Sequence, residues 1–94
     1  VVAIGYADGV SRALSGKISV LCNGKFSPQV GSIAMDQLVV DITDQPDVKV
    51  GSIITLLGED GSQSIRPQQW SNLCSSIPWE ILCGFKNRLP RIVV

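Results

Sequence analysis

The apolar residues of this chain come in short runs separated by glycine, proline, asparagine and aspartate. That spacing is typical of an all-β sandwich or barrel. Residues 18–22 form one such run, and Asn23-Gly24, the strongest two-residue hairpin signal, follows it directly. Residues 25–30 are the predicted return strand, in which Pro28 requires a sheet edge or a bulge. The pattern therefore predicts a mainly β domain with antiparallel pairing.

Further strands are predicted wherever an apolar run lies between turn residues. They are residues 1–4, 32–35, 38–42, 53–57, 79–85 and 91–94. The run at 53–57 is almost continuously apolar, which is typical of a central strand. Residues 44–47 contain a proline and predict a loop, and the glycine and acidic residues at 58–61 predict a turn.

One segment alone predicts an α-helix. Pro67 suits the first helical position, and the helix is expected to continue to Cys74. Trp70, Leu73 and Cys74 then share one apolar face, which we interpret as part of the core. The expected fold is a compact, mostly antiparallel β domain with one short helix.

The composition limits what this domain can bind. The chain has 94 residues, which make one domain, and 45% of them are apolar, which excludes disorder. Eight basic and eight acidic side chains give no net charge, which argues against a nucleic-acid partner. No apolar run is long enough to cross a membrane. The chain opens directly on a predicted strand, so we expect it to be part of a longer polypeptide.

Histidine is absent, so a Ser-His-Asp triad and a Cys-His pair are excluded within this chain. Cys22, Cys74 and Cys83 are odd in number and lie at no metal-ligand or redox spacing, so no metal site is expected. Each is interpreted as a small buried residue in a reducing compartment, which favours a cytoplasmic protein.

Three polar positions are candidates for a binding site. Tyr6 lies within Gly-Tyr-Ala-Asp-Gly at residues 5–9, a strand end followed by a turn. Met35-Asp36-Gln37 interrupts two apolar runs, where backbone amides freed from pairing could bind a carboxylate. Arg12 could orient a neighbour through its planar guanidinium. On the residues alone, a structural turn at each motif and a solvated arginine remain open alternatives.

Four stretches resemble, in order, the C-terminal domain of the alanine racemase family. They are residues 1–9 with Gly-Tyr-Ala-Asp-Gly, residues 31–37 with Met-Asp-Gln, the region of 48–51 and 56–58, and the closing segment at 79–91. The resemblance covers essentially the whole chain. It implies a small antiparallel β-barrel-like domain spanning residues 1–94.

The resemblance also implies a function. Enzymes of this family are pyridoxal-phosphate-dependent homodimers that interconvert L- and D-alanine for peptidoglycan synthesis. Each subunit has an N-terminal (β/α)₈ barrel that mainly binds the cofactor and a C-terminal β domain that completes the partner's site. One catalytic base is a barrel lysine and the other is a tyrosine upstream of the Gly-Tyr-Ala-Asp-Gly motif. This chain contains neither base, so it is expected to be inactive alone.

By the same resemblance, the backbone N–H of Met35 binds the substrate carboxylate, with Asp36 beside it. Tyr6 and Arg12 line the active-site entrance. Trp79 stands where many members have a tyrosine that binds the cofactor phosphate, so packing at the entrance is expected of it. Ser32 stands where many members have an arginine, which makes the entrance less positive.

Two other functions remain open. One is the equivalent domain of a membrane-anchored serine racemase of the antibiotic-resistance type. The other is a non-catalytic β-barrel binding module, which predicts neither an upstream barrel domain nor a cofactor lysine.

Overall fold

A computed structural model describes residues 1–86 and 89–90. A four-stranded antiparallel sheet has the order β3-β2-β1-β4, and β5 pairs with β6 in a separate hairpin. The strands are β1 (Ser19–Cys22), β2 (Lys25–Val30), β3 (Val39–Val40), β4 (Ile54–Thr55), β5 (Gly58–Asp60) and β6 (Gln63–Ile65). The helices are α1 (Pro67–Leu73) and α2 (Pro78–Cys83), with 3₁₀ turns at Tyr6–Asp8 and Arg12–Leu14.

The β1–β2 hairpin confirms the prediction made from Asn23-Gly24. Cys22 pairs with Lys25, so the loop contains two residues. Asn23 and Gly24 both have positive φ, 52° and 75°, as a type I′ hairpin turn requires. All of β1 after Ser19 is buried, because this strand is paired on both sides.

The prediction of a central strand at 53–57 is wrong in both the position and the length of the strand. Only Ile54–Thr55 forms a strand, and it lies at the edge of the sheet beside β1. The predicted turn at 58–61 is also wrong, because its residues enter the β5–β6 hairpin, which turns at Gly61 (φ 64°). The Asp60 carboxylate accepts the Gly24 N–H over 2.8 Å and so ties the two hairpins together.

The predicted strands at 1–4 and 32–35 are not formed as strands. Val2 makes a single bridge to Leu38, and the run at 38–42 shortens to Val39–Val40. Residues 33–35 bond instead to groups outside the sheet. The carbonyl oxygens of Ala34 and Met35 accept from the first 3₁₀ turn, and the Ile33 N–H donates to the Ser15 hydroxyl. A tertiary contact therefore takes the backbone groups that a strand ladder would have used.

Helix α1 confirms the predicted helix, with Pro67 at its start and Trp70 fully buried, but Leu73 is exposed, so the predicted apolar face is only partly core. The predicted strand at 79–85 is wrong, because Pro78 begins a second helix there. Of this helix Ile81 alone is buried, while Trp79 and Leu82 are exposed. A short apolar run fits a strand and a helix equally well, so periodicity could not separate them. The expectation of a single helix is corrected to two.

A core between the sheet and the helices holds these elements together. It contains Ile4, Val10, Leu14, Ile18, Leu21, Ile33, Leu38, Ile65, Trp70 and Ile81. Cys22 is buried as predicted, but Cys74 is half-buried and Cys83 is exposed, which corrects the expectation that all three are buried. The strand predicted at 91–94 lies outside the described residues. Within residues 1–86 and 89–90, no helix is long and apolar enough to cross a bilayer.

Candidate functional site

The 3₁₀ turn that carries Tyr6 lies directly on the backbone of residues 34–35. Tyr6 donates its N–H to the carbonyl oxygen of Ala34 over 2.9 Å, and Ala7 donates to that of Met35 over 3.0 Å. Gly5 precedes the turn, and its N–H donates to the buried Asp8 carboxylate over 3.2 Å. Two motifs far apart in the sequence therefore form one surface.

The segment from Ala34 to Gln37 closes on itself as a turn. Ala34 donates its N–H to the carbonyl oxygen of Gln37 over 2.9 Å. In the part of the chain that the structure describes, the N–H groups of Met35, Asp36 and Gln37 donate to no protein acceptor. The Met35 side chain is 56% exposed, and Asp36 and Gln37 are exposed as well. Consecutive unpaired amides at an exposed turn are suited to an anion.

The segment that carries Arg12 is fastened to the same loop. Arg12 begins the second 3₁₀ turn, whose Leu14 is fully buried in the core. The Ser15 hydroxyl donates to the carbonyl oxygen of Arg12 over 2.7 Å and accepts the N–H of Ile33 over 2.9 Å. Ser15 thus bridges the Arg12 turn and the loop that carries Met35, while the Arg12 side chain stays exposed.

Trp79 lies on helix α2, whose C-terminal end contacts the Tyr6 segment. After the helix, Lys86 donates its N–H to the carbonyl oxygen of Asp8 over 3.2 Å. Gly84 lies so close to Gly9 that a Cβ on Gly9 would stand 2.6 Å from the Gly84 carbonyl oxygen. Trp79 lies five residues before Gly84, which is about 7.5 Å along a helix. Its side chain is 74% exposed.

The structure thus lays the turn of Tyr6 and Ala7 against the backbone of Ala34 and Met35, and it links the segments of Arg12 and Trp79 to this pair through other residues. Among the described residues, no hydrogen bond joins the side chains of the five predicted site residues to one another. All five are exposed. They therefore form an open surface that this chain does not close by itself.

Sequence reasoning missed three residues that hold this surface together: Gly5, Asp8 and Ser15. Gly5 and Asp8 stand three positions apart, which is the spacing of a capping interaction. That signal was available in the sequence. The link from Ser15 to Ile33 has no local signal, because it joins residues from separate segments.

The whole chain matches a known protein family. The family model for the alanine racemase C-terminal domain matches residues 1–93. This chain belongs to that family. The identification confirms the resemblance of the four motifs and the mainly β fold.

Relatives and solved structures agree with this assignment. Alanine racemases from Prochlorococcus marinus and Nostoc sp. are 67% and 52% identical over all 94 residues. The crystal structure of alanine racemase from Bacillus anthracis with bound L-Ala-P matches 98% of the chain with a TM-score of 0.89 and 38% identity. Alanine racemase from Oenococcus oeni matches with a TM-score of 0.87 and 33% identity. The chain covers 24% of each of the two sequence relatives, and 23% and 26% of the two structures.

Proposed function

We propose that this chain is the C-terminal domain of a cytoplasmic, pyridoxal-phosphate-dependent alanine racemase that interconverts L- and D-alanine for peptidoglycan synthesis. Membership in the alanine racemase C-terminal domain family supports the proposal. So do relatives named alanine racemase that match along the whole chain. In this role the domain supplies a surface to an active site whose reacting groups belong elsewhere.

The turn at 34–37 is the observation that carries the proposal. Met35 is exposed, its N–H has no acceptor among the described residues, and its turn is bonded to Tyr6 and Ala7. We assign this N–H to the carboxylate of alanine. A hydrogen bond to a charged group contributes about 1.5–3 kcal/mol, enough to orient a substrate this small.

Tyr6, Arg12, Asp36 and Trp79 are proposed to line the entrance to that site. All four side chains are exposed. They present donors and one carboxylate, and Ser32 nearby adds no charge. An exposed corridor of this kind selects small zwitterions by size and by the balance of charge along its wall.

The donor chemistry of the chain fits a secondary role toward pyridoxal phosphate. Tyr6 offers an exposed phenol that is able to donate to an anionic or polar group, while Trp79 is assigned to packing at the entrance. No lysine stands among the five site residues, so the group would be held mainly by the barrel domain. When bound, the cofactor supplies an electron sink for the α-carbanion of the substrate.

Helix α2 supports the proposal that the domain meets a partner subunit. Trp79 and Leu82 are exposed on it, and Ile77 is exposed just before it. Exposed apolar residues gathered on one helix favour a protein contact. We propose that this face packs on the partner subunit of a homodimer, so that Met35 serves the partner's site.

Activity of the separate parts tests the proposed reaction. The full-length protein with pyridoxal phosphate is expected to convert L-alanine into a racemic mixture, which chiral chromatography measures. It is expected to act on L-alanine in preference to L-serine. The isolated 94 residues are expected to give no racemisation, because they contain neither base. Racemisation by this fragment, or inertness of the full-length protein toward alanine, would refute the proposal.

Subunit mixing tests the shared site. One variant lacks the barrel lysine, and the other carries Met35→Pro, which removes the proposed carboxylate donor. If each site combines the barrel of one subunit with this domain of the other, mixed dimers contain one intact site. Assayed at L-alanine well below the KM, where Met35→Pro alone is only weakly active, random mixing then gives about a quarter of wild-type activity. A mixture no more active than Met35→Pro alone would show that the site lies within one subunit.

A further inference from the structure

We propose that Gly5 is a positioning residue that sets the orientation of the Met35 N–H, an inference that rests on the proposed function. The Met35 N–H and the Ala34 carbonyl oxygen belong to the same peptide group. No peptide bond of the described residues is cis, so these two groups point in opposite directions. Whatever holds the Ala34 oxygen therefore also aims the Met35 N–H.

Tyr6 holds that oxygen through its own N–H, over 2.9 Å. Ala7 holds the next carbonyl, that of Met35, over 3.0 Å. The peptide groups before and after residue 35 are thus both held by one 3₁₀ turn. A hydrogen bond accepted by a carbonyl also polarises the N–H of the same peptide, which strengthens its bond to an anion.

Position 5 requires glycine because there is no space for a side chain. Its dihedral angles do not require glycine. Gly5 has φ −152° and ψ −161°, an extended conformation that any residue can adopt. A Cβ there would stand 2.2 Å from the Ala34 oxygen and 2.6 Å from the Met35 carbonyl carbon. Every group that it would strike is backbone, so no side chain can turn away to make room.

Hydrogen bonds also fix the backbone of Gly5 in place. Its N–H donates to Asp8, a carboxylate that is 2% exposed, and its carbonyl oxygen accepts the N–H groups of Asp8 and Val10. Because position 5 is held on both sides, a methyl group added there must displace the Ala34–Met35 peptide. Gly5→Ala should therefore misdirect the carboxylate donor while leaving the reacting groups of the barrel untouched.

The test compares Gly5→Ala with Gly31→Ala in the full-length enzyme. Gly31 lies on the same loop and has φ 72°, but a Cβ there would meet nothing within 4 Å. Gly31→Ala thus strains the loop without pressing on the peptide. The probe is propionate, which has the carboxylate of alanine but lacks its amine. Ethylamine, which has the amine but no carboxylate, is the matched probe.

For Gly5→Ala, we expect the inhibition constant of propionate and the KM for L-alanine each to rise about tenfold, as the weakening of one charged hydrogen bond implies. Ethylamine inhibition and kcat should change by less than about threefold by the same reasoning. Gly31→Ala should lower the melting temperature without changing propionate inhibition. If Gly5→Ala lowers only the melting temperature, Gly5 is a packing residue and the inference is wrong.

Two further outcomes decide the remaining cases. If Gly5→Ala does not fold, Asp8→Asn takes its place, because it weakens the acceptor of the Gly5 N–H at nearly constant volume. Its propionate constant should rise several-fold with ethylamine unchanged, and an unchanged propionate constant overturns the inference. If the wild-type enzyme racemises alanine but propionate does not compete, the Met35 carboxylate site fails, and the role of Gly5 fails with it. A wild-type enzyme inert toward alanine refutes the proposed function itself.

Discussion

The backbone N–H of Ala7 donates to the carbonyl oxygen of Met35 over 3.0 Å. This bond joins the two motifs that carry most of the family resemblance, Gly-Tyr-Ala-Asp-Gly and Met-Asp-Gln, into a single surface. Together with the bond from Tyr6 to Ala34, it explains why this segment forms no strand, since the carbonyl groups of Ala34 and Met35 already have partners outside the sheet.

The proposed carboxylate donor is a backbone group, so the side chain of Met35 should matter little. We expect Met35→Leu to leave the KM for L-alanine within about twofold, because the volume-conserving change alters a side chain that is mostly in solvent. Met35→Pro, which removes the N–H, should raise the KM at least about tenfold. Steady-state kinetics of both variants measures this. An equal rise for the leucine variant would assign the effect to the side chain instead.

The indole of Trp79 is expected to pack at the entrance without binding the cofactor phosphate. Trp79→Phe, which removes only the N–H donor and some area, should therefore leave the dissociation constant of pyridoxal phosphate within about twofold. Trp79→Tyr introduces the phenol that many family members have, and it should tighten cofactor binding by about tenfold. Fluorescence titration of the apoenzyme measures both. Strong weakening in the phenylalanine variant would mean that the indole N–H binds the phosphate.

The contact between Gly9 and Gly84 anchors helix α2, and a methyl group should break it. Gly9 has φ 116°, and its Cβ would stand 2.6 Å from the Gly84 carbonyl oxygen. Gly9→Ala should cost at least about 2 kcal/mol of local stability from strain and overlap together. Hydrogen exchange of the Lys86 amide, which bonds to Asp8, is the sensitive measurement.

Gly16→Ala is the matched control for that experiment. Gly16 has φ 71°, but a Cβ there would contact nothing within 4 Å. This variant should cost about 1 kcal/mol from backbone strain alone and leave exchange at Lys86 unchanged. Equal exchange rates at Lys86 in the two variants would show that the close approach to Gly84 is unimportant.

Asp41 provides a prediction for pH. The Thr43 hydroxyl and the Thr43 N–H both donate to the Asp41 carboxylate, and together they lower its pKa below 3.8. Because the folded pKa is depressed, the stabilising contribution is present above the unfolded pKa and is lost as the pH falls through the folded value. Thr43→Val removes the hydroxyl donor and should raise the pKa toward 3.8. NMR titration of the carboxyl carbon measures it, and an unchanged pKa would contradict the assignment.

Local signals predicted the elements whose cause is local. Asn23-Gly24 set the β1–β2 hairpin because two residues of positive φ match the twist of the strands they connect. Pro67 marked the start of α1, where a missing N–H costs nothing. Pro78 stands at the same first helical position of α2, but the apolar run after it was interpreted as a strand, so this local signal was missed.

The candidate site also separates what local sequence signals indicate from what tertiary contacts decide. The sequence by itself pointed to the Tyr6 and Met35 motifs as candidates, through the family resemblance that they carry, but it did not point to Ser15, which links their surroundings. Only the tertiary structure decided that residues 5–7 lie on residues 34–35 and that Gly5 must lack a side chain there. The physical reason is that backbone carbonyl groups accept from whichever donor the packed core brings near, and no local pattern in the sequence names that donor.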